Sequence, residues 1–209
     1  MKYIIMCGGK YDKWTTPRQM TQIKGESIAG RTIRLLRETG VEDISISTSD
    51  NRFETLGVPL LKHDNNFHAY HSGHWVDAFY PTDDPTCYLF GDVVFSPDAI
   101  KTIVNTQTDD VEFFASAPPF DKRYIKRWAE PFAFKVRNQK RFRAAIDYVK
   151  QNMGLFRRHP IAWELWQVIK ETPLNLIDYT NYTAINDYTC DIDDPADAVL
   201  IQAGMEAIV

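Results

Sequence analysis

A glycine-rich loop with several basic residues follows the first apolar run of the chain. The run Tyr3–Cys7 carries no charge, which is typical of a strand buried on both faces. Gly8 and Gly9 follow directly, and glycines let a backbone approach a ligand closely and bind phosphate oxygens through its N–H groups. Three basic residues share the loop: Lys10, Lys13 and Arg18. The pattern predicts a polyphosphate site. A solvated turn is the competing interpretation, because neither Gly-x4-Gly-Lys-Ser/Thr nor Gly-x-Gly-x-x-Gly is present.

Acidic residues that a metal ion would need occur at two distant places. Asp92 comes just after a predicted strand, Cys87–Phe90. Asp191 and Asp193 are two positions apart, so on an extended segment both side chains point to the same side. Facing carboxylates repel unless a cation lies between them, and Mg²⁺ prefers such oxygen ligands. Helix capping or plain solvation is the alternative for these acids, and capping is favoured for the two aspartates of Asp194–Asp197.

Two further groups of residues are weaker candidates. Residues 122–128 mix basic and aromatic side chains, and Lys126 from this segment could bind the phosphate of an acceptor molecule. Glu130, just beyond it, could accept hydrogen bonds from acceptor hydroxyls or an amine, and a solvated loop is the alternative for both. Three histidines recur at a spacing of three: His68, His71 and His74. This spacing converges neither on a helix nor on a strand, so we predict no zinc site, and one histidine is a candidate for lining a base or acceptor pocket.

The elements that must position these residues alternate between strand and helix. The predicted strands are 3–7, 44–48, 87–90, 112–116, 131–136 and 182–185. The predicted helices are 28–40, 73–80, 97–104, 142–154, 161–169 and 195–208. This alternation indicates an α/β layered fold with a largely parallel sheet. Ligands of such sheets bind beyond the carboxyl ends of the strands, which is where the glycine loop and Asp92 lie.

Composition limits the kinds of protein that the chain can be. The 209 residues suggest one domain, 1–209, and a hydrophobic fraction of 44% with 25% charged residues argues against disorder. The formal charge of −4 argues against binding to nucleic-acid backbones. No apolar run approaches the roughly 20 residues of a membrane span. The three cysteines have no paired spacing, so we expect a reduced, cytoplasmic protein without disulfides.

The segment Met1–Thr48 resembles nucleotidyltransferases of the nucleoside-diphosphate-sugar type. Their pattern is a strand, Gly-Gly-x-Gly-x-Arg, a loop ending in Thr-Pro-Lys, a short strand with Gly, a helix and a second strand. The matching residues are Gly8-Gly9-Lys10, Lys13, Thr16-Pro17-Arg18 and Ile23-Lys24-Gly25. The chain departs from the pattern at Tyr11, which replaces the third glycine. Lys13 and Arg18 stand where the family has arginine and lysine, so the charge is kept.

Two later blocks extend the resemblance. Gly91-Asp92-Val93 is similar to the Gly-Asp that follows a central strand of the family. Asp191–Asp197 is similar to the Asp-x-Asp-Thr-Pro-Glu-Asp that precedes its last helix. The match is good at both ends of the chain and poor over residues 51–86. The resemblance implies a Rossmann-like three-layer α/β/α fold with a mixed, mainly parallel sheet, filling a single nucleotidyltransferase domain.

The resemblance also implies a reaction and roles for the candidate residues. A phosphorylated acceptor, such as a sugar phosphate, polyol phosphate or phosphocholine-like molecule, attacks the α-phosphorus of an NTP and pyrophosphate leaves. Asp92, Asp191 and Asp193 bind Mg²⁺, and Lys13, Arg18 and Asp92 are catalytic. The nucleotide contacts Cys7, Gly8, Gly9 and Lys10, and the acceptor contacts Lys126 and Glu130. The small size is closest to cytidylyltransferases and molybdenum-cofactor-guanylyltransferase-like proteins, and CTP is the favoured NTP.

Two other functions stay open. A glycosyltransferase of the related nucleotide-sugar fold would use Asp191-Ile192-Asp193 as its Asp-x-Asp metal motif, although that motif then comes late in the chain. A non-catalytic nucleotide-binding protein is favoured by the departures at Tyr11 and Lys13. The helical pattern of Trp163 and Trp166 predicts core or subunit-interface positions, and a homodimer is one prediction that follows.

Overall fold

The computed structural model describes residues 1–8, 14–63, 74–118 and 129–206. The strands are β1 (Lys2–Met6), β2 (Gln22–Ile23), β3 (Glu26–Ser27), β4 (Ile44–Thr48), β5 (Leu60–Lys62), β6 (Thr86–Phe90), β7 (Val93–Val94), β8 (Val111–Ser116), β9 (Glu130–Val136), β10 (Thr183–Ala184) and β11 (Cys190–Asp191). The α-helices are α1 (Ile28–Glu38), α2 (Pro97–Asn105), α3 (Gln139–Gln151), α4 (Ala162–Ile169) and α5 (Pro195–Glu206). Short 3₁₀ helices occupy Arg18–Met20, Asn51–Leu56, His74–Ala78 and Met153–Leu155.

Seven strands form one mixed sheet in the order β10-β8-β9-β6-β1-β4-β5. The pairs β1–β4, β1–β6, β4–β5 and β8–β10 are parallel. β9 pairs antiparallel with both of its neighbours, β6 and β8, so it alone runs against the other strands of this sheet. The prediction of a mixed, mainly parallel sheet is therefore confirmed, and the carboxyl ends of six strands lie along one edge.

Alternation along the strands fills both faces of the sheet. Ile5 in β1 packs in a buried cluster that includes Ile33 of α1 and Ile100 of α2. Its neighbour Ile4 packs in a second cluster, which includes Phe142 of α3. Because successive side chains of a strand point to opposite faces, the two clusters are the two sides of one sheet. The predicted three-layer α/β/α arrangement is confirmed. In the second cluster, Trp163 and Trp166 of α4 are buried, which confirms the core alternative predicted for both.

Helix starts follow the capping residues in the sequence. The Ser27 hydroxyl accepts a hydrogen bond from the Gly30 N–H and begins α1. Ser96 accepts from the Ala99 N–H in the same way, with Pro97 in the first turn of α2. A side-chain cap satisfies one of the backbone donors that a helix leaves unpaired at its start. These caps fix where the chain turns from the sheet edge into each helix.

A small antiparallel pair lies outside the main sheet and carries the late acidic segment. β7 and β11 pair with Val94 opposite Cys190 and Val93 opposite Asp191. A third buried cluster lies under this pair and includes Ile201 of α5. Within the described ranges, no helix is long and apolar enough to cross a bilayer.

Candidate active site

The end of β6 lies against the end of β1, which brings the residue before Asp92 against Met6 and Cys7. The Gly91 N–H donates a hydrogen bond of 3.0 Å to the carbonyl oxygen of Met6. A β-carbon on Gly91 would clash with that oxygen and stand 2.8 Å from the Cys7 Sγ, so glycine is required for this close approach. The first residue after each of the two strands therefore lies at the same point of the carboxyl edge.

Arg18 joins the N-terminal loop to both acidic segments. Its Nη2 forms an ion pair with the Asp92 carboxylate, while Nη1 lies 3.4 Å from Asp193 Oδ1. Nη1 also donates a 3.0 Å hydrogen bond to the carbonyl oxygen of Ile192. The side chains of Arg18 and Asp92 are only 10% and 13% exposed, so water screens their attraction little. The structure thus brings together three residues that the sequence analysis placed in one site.

Backbone pairing holds the two acidic segments side by side. The Ile192 N–H donates a 3.0 Å hydrogen bond to the carbonyl oxygen of Asp92, next to the β7–β11 ladder. Asp193 is 58% exposed, whereas Asp92 is largely buried, so the carboxylates run from the interior towards solvent. Of the three predicted metal ligands, Arg18 contacts Asp92 and Asp193, whose carboxylate oxygens are donors of the kind that Mg²⁺ prefers.

Glu130 lies on the far side of the late acidic segment. Its side chain is only 2% exposed. The Asp191 N–H donates to one of its carboxylate oxygens at 3.4 Å, and the Cys190 thiol donates to the other at 3.7 Å. The ligand atoms of these three side chains lie within 4.8 Å of one another. Contact with the acceptor stays a prediction for Glu130. The structure places it in a buried wall beside the aspartate segment.

Asp194 and Asp197 have the capping roles that the sequence predicts. The Asp194 carboxylate accepts a hydrogen bond of 3.1 Å from the Ala196 N–H in the first turn of α5. Asp197 accepts from the N–H groups of Asp193 and Asp194 at 2.8 and 3.1 Å. Both carboxylates therefore stabilise the start of the helix and fix the backbone at Asp193.

Cys7 directly follows β1 and is hydrogen-bonded to the neighbouring strand at the carboxyl edge of the sheet. Its N–H donates to the carbonyl oxygen of Ser47 at 2.9 Å, which extends the β1–β4 ladder by one residue. Burial, with a smaller effect from the Asp92 charge, raises the pKa of the Cys7 thiol well above its ordinary value. A protonated, buried thiol is a poor nucleophile, so we assign Cys7 no nucleophilic role. Gly8 follows, and its carbonyl oxygen accepts a hydrogen bond of 3.4 Å from the Gln19 side chain.

Several predicted residues lie outside the part of the chain that the structure describes. They are Gly9, Lys10, Tyr11, Lys13, His68, His71 and Lys126. The backbone of His74 begins a 3₁₀ helix, and its side chain is likewise outside the description. The roles given to these residues stay predictions.

Sequence reasoning missed the residues that support the acidic segments. Arg31 is buried on α1 and donates to Tyr188, two positions before β11. A signal for Arg31 was present, because it lies three residues after Ile28 and four before Leu35 on the apolar stripe of the helix. A lone arginine on such a stripe indicates a buried polar contact, since a buried charge without partners is costly. No comparable pattern marks Tyr188 in the sequence.

Solved structures that match this fold include three cytidylyl-transferring enzymes. CTP:phosphocholine cytidylyltransferase from Streptococcus pneumoniae is 18% identical with a TM-score of 0.56, and the match covers 98% of each chain. 4-diphosphocytidyl-2C-methyl-D-erythritol synthase from Anaerococcus prevotii is 10% identical with a TM-score of 0.58, covering 98% of this chain and 95% of that one. The inositol-1-phosphate CTP transferase from T. maritima is 14% identical with a TM-score of 0.53, covering 100% and 97%.

The chain shares the fold of these three solved structures. No protein-family model and no curated protein sequence matches it. The resemblance drawn from short sequence blocks and the likeness of the whole fold are separate observations that agree. Arg18, Asp92 and Asp193 come from the three blocks of that resemblance, and Arg18 contacts both aspartates.

Proposed function

We propose that the protein is a Mg²⁺-dependent nucleotidyltransferase. It transfers a nucleoside monophosphate from an NTP to a phosphorylated small-molecule acceptor and releases pyrophosphate. The observation that carries the proposal is the position of Arg18, whose guanidinium contacts both Asp92 and Asp193 at the carboxyl edge of the sheet. A cation and two carboxylates at this edge are the groups that a triphosphate and its metal require.

The acceptor brings its own nucleophile in this reaction. A phosphomonoester has its second pKa near ~6, so it is already ionised at neutral pH and needs no general base. The protein then has to position the two substrates and neutralise the charge that develops on the leaving pyrophosphate. The proposed site contains charged groups for that purpose, and the mechanism gives no acid–base role to Cys7.

Basic groups of the N-terminal loop are proposed to hold the triphosphate. Arg18 is held at the edge by its contacts with Asp92 and Asp193, so its guanidinium lies beside the proposed metal ligands before a nucleotide arrives. Lys10, Lys13 and the N–H groups after Gly8 are proposed to complete the set. Losing one such donor in an enzyme typically costs about 10²–10³ in rate.

Three aspartates are proposed as the Mg²⁺ ligands: Asp92, Asp191 and Asp193. The metal, when bound, neutralises phosphate charge and orients the reacting oxygens. The hydrogen bond from the Ile192 N–H to the Asp92 carbonyl keeps the two aspartate segments at a fixed separation. The protein contributes a preorganised arrangement, which avoids reorganisation during the reaction.

The acceptor is proposed to bind on the side of Glu130 and Lys126. Glu130 approaches this side from a buried wall, held by the Cys190 thiol and the Asp191 N–H. Three of the similar solved structures carry CTP or a cytidyl group in their names, and two of these names include phosphocholine or inositol 1-phosphate. CTP is therefore the first NTP to test, with phosphocholine, inositol 1-phosphate and sugar phosphates as the first acceptors.

The test measures pyrophosphate release from each of the four NTPs with a panel of phospho-acceptors, with Mg²⁺ or with EDTA. Release that needs one NTP, one acceptor and Mg²⁺ is the expected result. Turnover of a sugar nucleotide with release of a nucleoside diphosphate would instead indicate a glycosyltransferase. Nucleotide binding without turnover, unchanged in Asp92→Ala, would indicate a non-catalytic nucleotide-binding protein.

A further inference from the structure

Arg31 connects α1 to the segments that flank the two strands of the small β7–β11 pair. The side chain is buried, with 9% exposed, and it points in two directions. Its Nε donates a 3.1 Å hydrogen bond to the carbonyl oxygen of Phe95, the residue that follows β7. Its Nη2 donates at 2.9 Å to the hydroxyl of Tyr188, two positions before β11. One guanidinium therefore fixes the two segments against the same helix.

A second set of contacts ties the same segment to the start of α2. The Ser96 N–H donates to the Thr189 hydroxyl at 3.0 Å, and the Ser96 hydroxyl donates to the Asp187 carboxylate. Asp187 also accepts from the Thr189 N–H at 2.6 Å. The Ser96 hydroxyl in turn accepts from Ala99 as the helix cap. The three residues before β11 are thus anchored to fixed points of two helices.

The anchored residues flank the acidic segments of the site. Asp92 immediately precedes β7, while Asp191 ends β11 and Asp193 follows two positions later. Each strand of this pair is only two residues long. An isolated two-stranded ribbon is at best marginally stable in water. A pair of two-residue strands therefore needs contacts with the rest of the protein to keep its register.

We propose that Arg31 is a positioning residue of the site, acting through Tyr188. The pair, which we call the Arg31–Tyr188 clamp, holds residues 187–193 on β7 and so sets where Asp191 and Asp193 stand relative to Asp92. Arginine suits this role because its planar fork donates in two fixed directions, whereas the ammonium of lysine is a single point of charge. The effect on metal binding rests on the proposed function, while the effect on the backbone of residues 187–193 does not.

The test uses the full chain with two clamp variants, Arg31→Lys and Tyr188→Phe, and one control, Arg34→Lys. Tyr188→Phe removes a single hydroxyl and keeps the ring, so it tests the contact where the buried arginine variant fails to fold. Arg34 is on the same helix but exposed, and it pairs with Glu26 and Glu38 away from the acidic segments. Each protein is examined by amide hydrogen exchange and by titration with Mn²⁺ alone, followed by electron paramagnetic resonance of the free ion.

The clamp variants are expected to exchange the amides of residues 187–193 faster than wild type, with β1 unchanged. Residues that orient metal ligands indirectly typically change metal affinity by about 10-fold or more, so Mn²⁺ should bind on the order of 10-fold more weakly. Arg34→Lys should change neither measurement. Wild-type exchange and wild-type Mn²⁺ affinity in folded Tyr188→Phe would overturn the clamp. If the wild-type protein binds no Mn²⁺ in the absence of nucleotide, hydrogen exchange alone tests the clamp, and unchanged exchange in residues 187–193 of folded Tyr188→Phe overturns it. The proposed metal chemistry is tested separately, by pyrophosphate release with Mg²⁺ or EDTA.

Discussion

The Gly91 N–H donates a hydrogen bond of 3.0 Å to the carbonyl oxygen of Met6, and this contact holds the residue before Asp92 against the end of β1. It joins the carboxyl ends of β6 and β1, which are neighbours in the sheet. The approach is possible because glycine has no β-carbon to strike the Met6 carbonyl or the Cys7 sulfur. A backbone contact at a strand end therefore fixes a side chain that the proposed function requires.

Gly91→Ala is expected to destabilise the protein and to displace Asp92. The added methyl group has no free space, and overpacking of a buried site costs about 1–3 kcal/mol. Urea unfolding measures the loss of stability, and pyrophosphate release measures the loss of activity. Gly154→Ala is the matched control, because a β-carbon there meets nothing within 4 Å. Equal effects of the two substitutions would contradict the close-packing argument.

Arg18→Lys is expected to lower the rate of nucleotidyl transfer although the charge is kept. The guanidinium contacts Asp92 through Nη2, and Asp193 and the Ile192 carbonyl through Nη1. A lysine ammonium cannot make all three contacts from one position, so we expect a loss of about 10²-fold, within the range for removing one charge-stabilising donor. Steady-state kinetics would show the loss mainly in kcat. A wild-type kcat in Arg18→Lys would exclude a role of the guanidinium contacts in the transfer step.

Asp92→Asn is expected to lower the Mg²⁺-dependent activity strongly and the stability of the fold only slightly. The amide keeps the size of the side chain but removes the charge that Arg18 pairs with and that a metal needs. Activity at saturating nucleotide should fall by about 10²–10³. Asp83→Asn is the control, since Asp83 is 94% exposed and pairs with Arg143. The two variants are compared by titrating Mg²⁺ into the pyrophosphate-release assay. A similar small loss in both would remove Asp92 from the site.

Most of the larger elements could be predicted from the sequence because their patterns are local. β1 is a continuous apolar run, and α1 has an apolar stripe preceded by a serine cap, so each is determined by residues close together in the chain. β7 and β11 could not be predicted. Each has only two residues, and each exists because the other lies opposite it through a contact distant in sequence.

The types of residue in the candidate site could be predicted from the sequence, but most of the contacts between their side chains could not. Arg18 and Asp92 could be assigned to one edge, because the carboxyl ends of parallel strands meet there. The direction of a side chain depends on neighbours that the local sequence does not reveal. Glu130 turns inward to Cys190 and the Asp191 backbone, a pair of contacts that its place next to a basic segment does not indicate. Its orientation is a tertiary effect of the β9 and β11 segments meeting.

Cys87→Ala is expected to make stability less sensitive to alkaline pH. Burial raises the pKa of the Cys87 thiol from 9.0 to about 12, while Lys135 acts weakly in the opposite direction. The folded state therefore keeps a proton that the unfolded chain releases near pH 9. The stability contribution is full below that pH and is lost as the pH rises towards 12. Between about pH 8 and about pH 10, wild type should lose about 1.4 kcal/mol through this thiol.

Urea unfolding of wild type and Cys87→Ala at both pH values measures this difference. Cys87→Ala also lowers the free energy of unfolding by removing packing contacts. That loss is the same at both pH values, so it cancels when the change between the two pH values is compared with that of wild type. Ile5→Val is the control, because it removes one buried methylene from the neighbouring strand β1 and no titrating group, and such a change costs about 0.5–1.5 kcal/mol at either pH. Cys7 has a pKa raised in the same direction, so the variant should keep part of the alkaline loss. An identical loss in wild type and Cys87→Ala would show that the Cys87 thiol ionises as readily in the folded protein as in the unfolded chain.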